Sequence, residues 1–349
     1  MTKKVLIAGL GSIGQRHARC LRKIFEKSVE LHAFRSRGLQ QVINDDLTMV
    51  PNTSPATKYG MREHTDLDEA LSLGMDAVFV TNPPNLHVET AMKVVESGSH
   101  VFIEKPLSHS LDGIEELIKA SEKAGVICMV GHQLRYHIVI KKLQKIISSG
   151  KLGRLTSAEL IFGEYLPGMH PYEDYRTSHA TSVERGGGSI LSLNHDIDIA
   201  CYLFGLPKRL FCLGGHYSDL ELDAEDTAHI LMEIPRDDSP MAVHILLDFI
   251  QRPTRREWII TGDEGSVRVD LVKSTLKLDT YKSHKHKSVT ENFKNFQRNE
   301  MFLAEIRDFF DAIDHNKESP LGLPEAYEIL KAAIAARDSL SSGKPVNLV

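Results

Sequence analysis

The chain has few cysteines, a single tryptophan and no long apolar run. Its four cysteines are widely spaced and form no C-x-x-C pair: Cys20, Cys128, Cys201 and Cys212. This pattern argues against a disulfide framework and against a metal site, and it predicts reduced, mostly buried thiols in a cytoplasmic protein. No apolar segment is long enough to span a bilayer. Residues 1–4 lead directly into a predicted core strand, so we expect no signal peptide.

The chain also lacks an excess of charge of either sign. It has 42 Lys and Arg residues against 47 Asp and Glu residues, which gives a formal net charge of −5 at pH 7. We therefore expect no binding to nucleic acid and none to a membrane surface. Apolar residues make up 42% of the 349 residues, which is typical of a globular protein with a substantial core. At roughly 150 residues per domain, this length predicts about two domains.

A glycine-rich turn follows the first predicted strand, residues 5–8. Gly9 permits a tight turn, Gly11 lets a pyrophosphate approach the backbone, and Gly14 lets the next helix pack closely on the sheet. Free N–H groups and the positive end of the helix dipole then bind phosphates. The predicted cofactor contacts in this turn are Gly9, Gly11, Ser12, Ile13 and Gly14. The alternative is a tight strand–helix turn without a ligand.

Strand and helix patterns alternate as far as residue 130 or so, and this predicts an α/β fold that begins with a doubly wound parallel sheet of the Rossmann type. Beyond residue 205, apolar segments with a period of two are joined by short polar turns. They predict a C-terminal α+β domain with a large open, mainly antiparallel sheet. We assign residues 1–132 to a dinucleotide-binding domain and residues 133–349 to a substrate-binding and oligomerisation domain. The last helices, predicted at residues 299–315 and 324–342, are free to pack back on the first domain. The first of them carries a stripe of apolar residues at helical spacing, which indicates core packing.

The end of the second predicted strand lacks an acidic residue. In NAD-selective proteins, an Asp or Glu about 20 residues after the glycine motif binds the ribose 2′-hydroxyl. This chain has Arg35, Ser36 and Arg37 there. Because a guanidinium pairs bidentately with a 2′-phosphate, we expect NADP to be preferred over NAD. The alternative is that both arginines are solvated surface residues.

Polar residues follow the next predicted strand, at the sheet edge where open parallel sheets bind ligands. Thr81, Asn82 and Pro83 form a stiff loop that we expect beside the nicotinamide half of the cofactor. His87 comes just after this loop, at the start of a predicted helix, and is a further candidate cofactor contact. The alternative for His87 is local packing.

The following strand ends in Glu104 and Lys105, which we also expect at the cofactor. A lysine ammonium in this position can hydrogen-bond a hydroxyl or a developing carbonyl oxygen, and it can exchange a proton. The alternative is a surface lysine paired with Glu104. One strand later, the turn at residues 131–136 brings Arg135 and Tyr136 to the same edge, as candidate substrate contacts.

Together these motifs resemble the Gfo/Idh/MocA family of oxidoreductases, which is named for glucose–fructose oxidoreductase and inositol dehydrogenase. The resemblance covers essentially the full length. Its motifs are Gly9-x-Gly11-x-x-Gly14, Thr81-Asn-Pro-Pro-Asn-Leu-His87, Glu104-Lys105-Pro106, Gly131-His-x-x-Arg135-Tyr136, and Gly186-Gly-Gly188 through His195-x-x-Asp198. It implies an NAD(P)-dependent enzyme that transfers a hydride at a carbon of a sugar, polyol or sugar derivative. It also implies a homodimer or homotetramer formed through the open sheet.

The last of these motifs leads into a predicted helix, residues 189–204, with candidate substrate contacts at Ser192, Asn194, His195 and Asp198. His195 and Asp198 share a helix face, so the carboxylate can orient the imidazole. The resemblance implies that His195 binds a substrate hydroxyl or exchanges a proton beside Lys105. The two are therefore the candidate catalytic residues. The alternative is a helix histidine paired with Asp198.

The chain departs from the family pattern just before His195. Many family members carry an Asp three or four residues earlier, where this chain has Ser192 and Leu191. Serine is not a general base near neutral pH. Either Lys105 and His195 suffice, or an aspartate at 196 or 198 contributes, or alcohol oxidation is impaired. The alternatives to a sugar oxidoreductase are a dinucleotide-binding regulatory or scaffold protein, and a reductase of a non-sugar substrate.

A long loop at residues 165–176 is rich in aromatic, acidic and histidine side chains. Such a loop suits a pocket for a hydroxyl-rich ligand. Its candidate substrate contacts are Tyr175 and Arg176, the latter for a carboxylate or phosphate. The alternative is a surface loop. The basic run at residues 282–287 is expected to be a solvated loop.

Overall fold

The computed structural model describes residues 2–35, 41–237, 239–282 and 285–348. The first part of the chain forms β1 (Lys3–Ala8), α1 (Ser12–Phe25), β2 (Val29–Phe34), β3 (Val42–Ile43), β4 (Met49–Val50), α2 (Pro55–Tyr59), β5 (Met61–His64), α3 (Leu67–Ser72), β6 (Ala77–Val80), α4 (His87–Glu96), β7 (His100–Glu104), α5 (Ile114–Ala124), β8 (Cys128–Gly131) and α6 (Ile138–Ser148).

The second part forms β9 (Leu155–Gly163), α7 (Leu166–Met169), α8 (Ser189–Ser192), α9 (His195–Phe204), β10 (Arg209–Gly215), β11 (Thr227–Ile234), β12 (Met241–Asp248), β13 (Arg255–Gly262), β14 (Gly265–Asp270), β15 (Thr275–Lys282), β16 (Lys285–Asn292), α10 (Asn299–His315), α11 (Leu323–Ser342) and β17 (Val346–Asn347).

The first sheet is parallel throughout, in the order β5-β2-β1-β6-β7-β8. Helices cover both of its faces, since its strand residues are apolar on both sides and must be shielded from water. Alternate residues such as Leu6 and Val78 pack towards α4 and α5, while Ile7 and Phe79 pack towards α1 and α10. All strands end at one edge, which gathers the glycine turn, residues 81–87, residues 104–106 and residues 131–136.

The second sheet has nine strands in the order β16-β15-β14-β13-β9-β12-β11-β10-β17. Its pairings are antiparallel except the one between β9 and β12. Helices α8, α9 and α11 cover one face. On the other face Leu213 and Leu231 are 61% and 54% exposed. The two sheets confirm the predicted fold class.

Helix α10 returns to the first sheet. Phe302, Ile306 and Phe309 are fully or almost fully buried, in one cluster with Phe79 and Phe102. The predicted apolar stripe of this helix is therefore part of the core of the first half of the chain. None of the described helices combines the length and the apolar character that a membrane span requires. All four cysteines are buried and unpaired, as predicted.

Two elements differ from the sequence prediction. The predicted helix at 189–204 is interrupted at Leu193 and Asn194, so α8 and α9 are separate. The basic run continues into an edge strand, β16, which pairs with β15 along its length. His286 stacks on Tyr281 with ring centroids 4.6 Å apart and contacts Asp279 at 3.0 Å. The charged side chains of β16 suit an edge, where they oppose further strand addition. The neighbouring His284 lies outside the described residues.

Candidate active site

The glycine turn has the close packing that its spacing predicts. Gly9 has φ +110°, and a Cβ there would lie 2.8 Å from the Asn82 backbone nitrogen. A Cβ at Gly14 would lie 2.1 Å from the Gly9 carbonyl oxygen. The Thr81 hydroxyl donates to the same oxygen at 2.6 Å. Thr81 therefore holds the turn against the end of β6, and no larger residue fits at either glycine.

The outer side of the turn is open. No described atom lies within 4 Å of a Cβ placed at Gly11. Gly11 is also the N-cap of α1 and provides no side-chain cap, so the first N–H groups of the helix, at Ser12 and Ile13, need an external acceptor. This combination of open space and uncapped N–H groups fits the pyrophosphate of a dinucleotide.

At the adenosine end of the predicted cofactor site, the surroundings of Arg35 differ from those expected for a free phosphate-binding guanidinium. Nη1 of Arg35 lies 2.5 Å from Oε1 of Glu63, and the Arg35 side chain is 8% exposed. The guanidinium that we expect to bind a 2′-phosphate therefore already contacts a carboxylate from β5. Ser36 and Arg37 lie outside the described residues.

His87 joins two loops of the sheet edge. Its ring nitrogens lie 2.8 Å from the Asn82 carbonyl oxygen and 2.9 Å from the Pro106 carbonyl oxygen. The Asn82 amide nitrogen donates to Thr90, which leaves Asn82 Oδ1 buried without a partner. His87 thus positions the segment around Asn82 and Pro83. The Asn82 Oδ1 atom is an acceptor without a partner among the described residues.

Glu104 has a partner that the sequence analysis missed. Nε2 of His17 lies 2.6 Å from Oε1 of Glu104, and both side chains are buried. Burial opposes ionisation, but His17 and the nearby Lys105 lower the pKa of Glu104, so it carries a negative charge. The only sequence signal for His17 is its place one helical turn after Gly14.

The ammonium of Lys105 contacts the second half of the chain. Its Nζ donates to the Ser192 carbonyl oxygen at 2.7 Å. Burial lowers the pKa of Lys105 to about 8; Glu104 acts against this shift, and Arg256 adds to it. The nitrogen therefore exchanges between its charged and neutral forms near neutral pH.

The break between α8 and α9 makes this contact possible. Helix α8 ends at Ser192, so within the described chain no backbone N–H takes its carbonyl oxygen. In the continuous helix that the sequence predicts, residue 196 would use that oxygen. The Ser192 hydroxyl is buried and has no partner among the described residues.

His195 is held by Gln133, another residue that the sequence analysis missed. The Gln133 amide nitrogen lies 3.1 Å from His195 Nε2, and with the amide oriented in this way the imidazole proton is on Nδ1. Nδ1 is buried and has no partner in the described structure. Burial, followed by the positive charges of Lys105 and Arg256, holds the pKa of His195 well below its usual range. His195 is therefore a neutral donor.

Asp198 does not orient His195. Its carboxylate is fully buried and binds Arg135 at 2.7 Å, and His132 Nδ1 lies 3.3 Å from its other oxygen. A second contact of Arg135, at 2.8 Å, is to Glu325. These ion pairs fix the turn at residues 131–136 on α9. Arg135 and Asp198, both predicted as substrate contacts, therefore bind each other.

Asp196 and Tyr136 are also directed away from His195. Asp196 binds Arg256 at 2.5 Å and the Trp258 indole nitrogen at 2.7 Å. Tyr136 lines a separate cavity of about 320 Å³ with Glu305, and its ring lies 5.0 Å from the Lys141 ammonium. Neither Lys105 nor His195 is among the described residues that line this cavity.

The long loop places its two predicted contacts at an outer rim. Arg176 is exposed and binds Asp174 at 3.1 Å and Glu221 at 2.8 Å. The Tyr175 hydroxyl accepts from the Glu221 backbone N–H at 3.2 Å. Within the described chain, no hydrogen bond or ion pair joins either residue to Lys105 or His195.

The same loop brings in two residues that the sequence analysis did not single out. Burial raises the pKa of Tyr172 to about 12, and the Ser12 hydroxyl at the glycine turn acts against this shift. His179 lies near Lys105 and His170, and burial together with these charges lowers its pKa to about 3. The loop therefore brings side chains of the second half of the chain near the glycine turn and near Lys105.

Several buried polar atoms around this cleft have no partner among the described residues. Leaving such an atom unpaired costs roughly 1–3 kcal/mol, so a polar ligand or water is expected to satisfy it. The set consists of Asn82 Oδ1, Asn85 Oδ1, Gln133 Oε1, Ser192 Oγ, Asn194 Oδ1 and His195 Nδ1. The mixture of hydroxyl, amide and imidazole groups matches a ligand with several hydroxyls.

Comparisons with known proteins agree with this architecture. Residues 3–132 match the oxidoreductase family with an NAD-binding Rossmann fold, and residues 140–268 match the GFO/IDH/MocA C-terminal domain. The chain is 26% identical over 370 residues to the uncharacterized oxidoreductase YrbE of Bacillus subtilis, covering 100% of this chain and 98% of that one. It is 25% identical over 361 residues to myo-inositol 2-dehydrogenase of Thermotoga maritima, covering 99% and 98%.

A solved structure shares the fold over the whole chain. Levoglucosan dehydrogenase in complex with NADH superposes with a TM-score of 0.83 and 17% identity, covering 100% of both chains. The motifs, both sheets and both family matches lead to one conclusion. The chain belongs to the Gfo/Idh/MocA family of NAD-binding oxidoreductases.

Proposed function

We propose that the protein transfers a hydride between a nicotinamide cofactor and a CH–OH carbon of a sugar, polyol or sugar derivative. The observation that carries this proposal is the meeting of Lys105 Nζ with the Ser192–His195 segment at the carboxyl end of β7. The unpartnered polar atoms around them match the hydroxyls of such a substrate. The names of the inositol and levoglucosan dehydrogenases support the same substrate class.

Lys105 and His195 have different roles in the proposed reaction. When bound, the nicotinamide cofactor supplies or accepts the hydride. Lys105 in its neutral form accepts the hydroxyl proton during oxidation, and in its charged form donates a proton during reduction. His195 donates Nδ1–H to a substrate oxygen and stays neutral, because Gln133 occupies Nε2. A positioned proton-transfer group of this kind contributes about 10²–10⁴-fold to the rate.

Lys105→Met tests this assignment. We expect the variant to retain cofactor binding and to lose at least about 100-fold in turnover, since the proton acceptor is gone. The measurement is reduced-nicotinamide absorbance with myo-inositol, levoglucosan and related sugars, together with a binding titration by nicotinamide fluorescence. Cofactor binding without turnover of any sugar by the wild type would favour the scaffold alternative that Ser192 raises. Full activity of Lys105→Met would contradict the assignment.

We further propose a preference for NADP. The support is the absence of an acid at position 35 and the presence of Arg35, which lies at the carboxyl end of β2. We expect wild-type protein to bind NADPH more tightly than NADH, and Arg35→Gln to lose that difference. In the matched variant Glu63→Gln, Arg35 loses its carboxylate partner, so NADPH binding should tighten. Equal binding of both cofactors by all three proteins would show that Arg35 does not contact a 2′-phosphate.

We propose that residues 1–132 serve the cofactor and residues 133–349 the substrate and assembly, in a cytoplasmic homodimer or homotetramer. The support for assembly is the uncovered face of the second sheet, where Leu213 and Leu231 lie on neighbouring strands. At the outer rim, Tyr175 and Arg176 remain candidate substrate contacts. They require a substrate that extends beyond the catalytic centre.

A further inference from the structure

Glu305 of α10 is a buried acid whose carboxyl group has no partner. The residue is fully buried, and neither of its carboxyl oxygens has a hydrogen-bond partner among the described residues. Other buried acids of this chain are paired: Glu104 contacts His17 at 2.6 Å, and Asp198 binds Arg135 at 2.7 Å. Because a buried polar group without a partner is costly, the Glu305 carboxyl group points to a ligand that binds it.

Glu305 lines the cavity of about 320 Å³ that residues of β8, α6 and α10 enclose. This volume is near the lower end of the range of roughly 300–1,000 Å³ that is typical of small-molecule sites. Tyr136 also lines the cavity, and its hydroxyl group is likewise buried without a partner among the described residues. Asp308 adds a second carboxyl group, three residues after Glu305 and so on the same helix face. The wall is therefore rich in oxygen atoms that can accept a hydrogen bond.

The cationic side chains of the same wall do not neutralise Glu305. Arg135 is already bound to two other carboxylates, at 2.7 and 2.8 Å. Lys141 and Lys145 are exposed, and neither reaches the Glu305 oxygens in the described structure. The cavity therefore has room for a further positive charge at its buried acid.

The aromatic side chains of the wall interact with cations. Lys141 Nζ lies 5.0 Å from the ring centroid of Tyr136, and the guanidinium carbon of Arg135 lies 4.6 Å from that of Tyr202. Carboxyl groups together with tyrosine rings are the chemistry that recognises organic cations. A primary ammonium group also brings three N–H donors, which match the unpartnered oxygens of Glu305 and Tyr136.

The surroundings of Glu305 favour its neutral form as long as no cation is near. Burial is the main cause that raises its pKa, and the negative charges of Glu104, Asp198 and Asp308 raise it further. A bound ammonium group favours the charged carboxylate instead. The arrival of such a ligand is therefore expected to release a proton from Glu305 to the solvent.

The cavity is distinct from the candidate active site, although the two are neighbours. Neither Lys105 nor His195 is among the described residues that line it. His132 does line it, and its ring centroid lies 5.7 Å from that of His195. A ligand in this cavity would therefore lie behind the turn at residues 131–136, outside the space expected for nicotinamide and substrate.

We propose that this cavity is a second ligand site, which binds a small organic amine as its ammonium ion on Glu305 and Tyr136. The inference goes beyond the proposed hydride transfer and does not depend on it. Ordered water would also satisfy both side chains, but water carries no charge and would leave the Glu305 carboxyl group neutral. Proton release therefore distinguishes an amine site from a hydrated cavity.

Calorimetric titration of the wild-type protein near neutral pH tests the proposal. The probes are the chlorides of ethylammonium, butylammonium and ethanolammonium. We expect saturable binding of at least one amine, with a proton released, as read from titrations in buffers of different ionisation enthalpy. The comparators are ethanol, which lacks the charge, and tetramethylammonium, which lacks N–H donors. Equally strong binding of a comparator, or no binding of any amine, would overturn the proposal and leave the proposed function intact.

Two variants connect amine binding to these side chains. Glu305→Gln keeps the size of the side chain and should weaken binding at least about tenfold, the value of one hydrogen bond to a charged group, and abolish the proton release. Tyr136→Phe keeps the ring and should weaken binding less while retaining the proton release, so it gives an independent test if Glu305→Gln does not fold. The control is Glu300→Gln, an exposed glutamate of the same helix, and it should change neither value. Unchanged affinity in both site variants would contradict the assignment.

One further variant separates this cavity from the catalytic cleft. Lys105→Met should bind the amine as the wild type does, because Lys105 does not line the cavity. The same titration measures this. Loss of amine binding in Lys105→Met, with Glu305→Gln unaffected, would place the amine in the catalytic cleft and overturn the proposal.

Discussion

The Lys105 ammonium is buried at the carboxyl end of β7 and donates to a carbonyl oxygen of the second half of the chain. Burial favours the neutral amine, so the pKa falls from the usual value of 10.5 to about 8. A lysine with an unshifted pKa would be almost entirely charged at neutral pH and a poor proton acceptor. With the shifted pKa, both protonation states of this nitrogen are populated near neutral pH, as the proposed role of Lys105 in proton exchange requires.

The expected pH dependence follows from this shift. During oxidation, kcat/KM should rise with pH and level off above about 8, because only neutral Lys105 accepts a proton. During reduction it should fall across the same range. His195 should add no inflection near pH 6.5, since burial keeps its pKa well below that value. The measurement is the pH profile in both directions for wild type and Lys105→Arg, whose guanidinium stays charged. A flat wild-type profile around pH 8 would contradict the role of Lys105.

The sequence identified Lys105 and His195 as candidate catalytic residues but did not identify the residues that contact them. A strand end next to a glycine turn is a local pattern, so Lys105 could be located from it. Gln133 and the Ser192 carbonyl oxygen are brought to them by the packing of the two halves. No spacing rule within one segment reports such a meeting.

The helix α9 and the turn at residues 131–136 form one buried unit. Asp198 joins them through Arg135 and His132, with no exposure of its carboxylate. The sequence pattern correctly put Asp198 on the same helix as His195. It could not show that Arg135, which is 63 residues away, occupies that carboxylate. The partners of a buried charge are set by tertiary contacts rather than by helix periodicity.

Removing the Asp198 carboxylate should therefore destabilise the protein. Asp198→Ala leaves Arg135 buried with Glu325 as its remaining carboxylate partner among the described residues, and we expect the free energy of unfolding to fall by about 3 kcal/mol. Urea unfolding measures this loss. The control Asp68→Ala breaks an exposed pair with Lys93 and should cost no more than about 1 kcal/mol. The double variant Arg135→Met/Asp198→Ala should recover part of the loss. Similar stabilities for Asp198→Ala and the control would contradict this account.

Element bounds were predicted best where one apolar face is continuous. Helix α10 spans the predicted residues 299–315, because its stripe of large apolar side chains has no interruption. The break at Leu193 was missed, because both flanking segments are helical and no glycine or proline marks the interruption in the sequence. Strand β16 was missed because its side chains are almost all exposed and polar, so no apolar alternation identifies it.

For the whole molecule, the two sheets have different surroundings. The parallel sheet is covered on both faces, whereas the helices that pack on the large sheet in the described structure, α8, α9 and α11, lie on one face. Its other face carries exposed Leu213 and Leu231 beside the stacked rings of His229 and His244, whose centroids are 5.5 Å apart. Exposed apolar groups clustered on one sheet face mark an interaction surface. This arrangement followed from the period of two in the sequence.

We expect this face to hold subunits together. Leu231→Lys introduces a charge into it and should shift the protein towards monomers in sedimentation velocity. The control Leu73→Lys changes an apolar residue of the first half that is 43% exposed, and it should leave the sedimentation coefficient unchanged. A wild-type protein that sediments as a monomer at all concentrations would reject assembly through the sheet.

The hydrogen bond between Trp258 and Asp196 has a practical consequence. Trp258 is the only tryptophan of the chain, it is 1% exposed, and its indole donates to the residue directly after His195. All indole emission from the unlabelled protein therefore originates beside the candidate active site. Reduced nicotinamide absorbs in the region where indole emits, so energy transfer makes this side chain an intrinsic optical reporter of cofactor arrival and release.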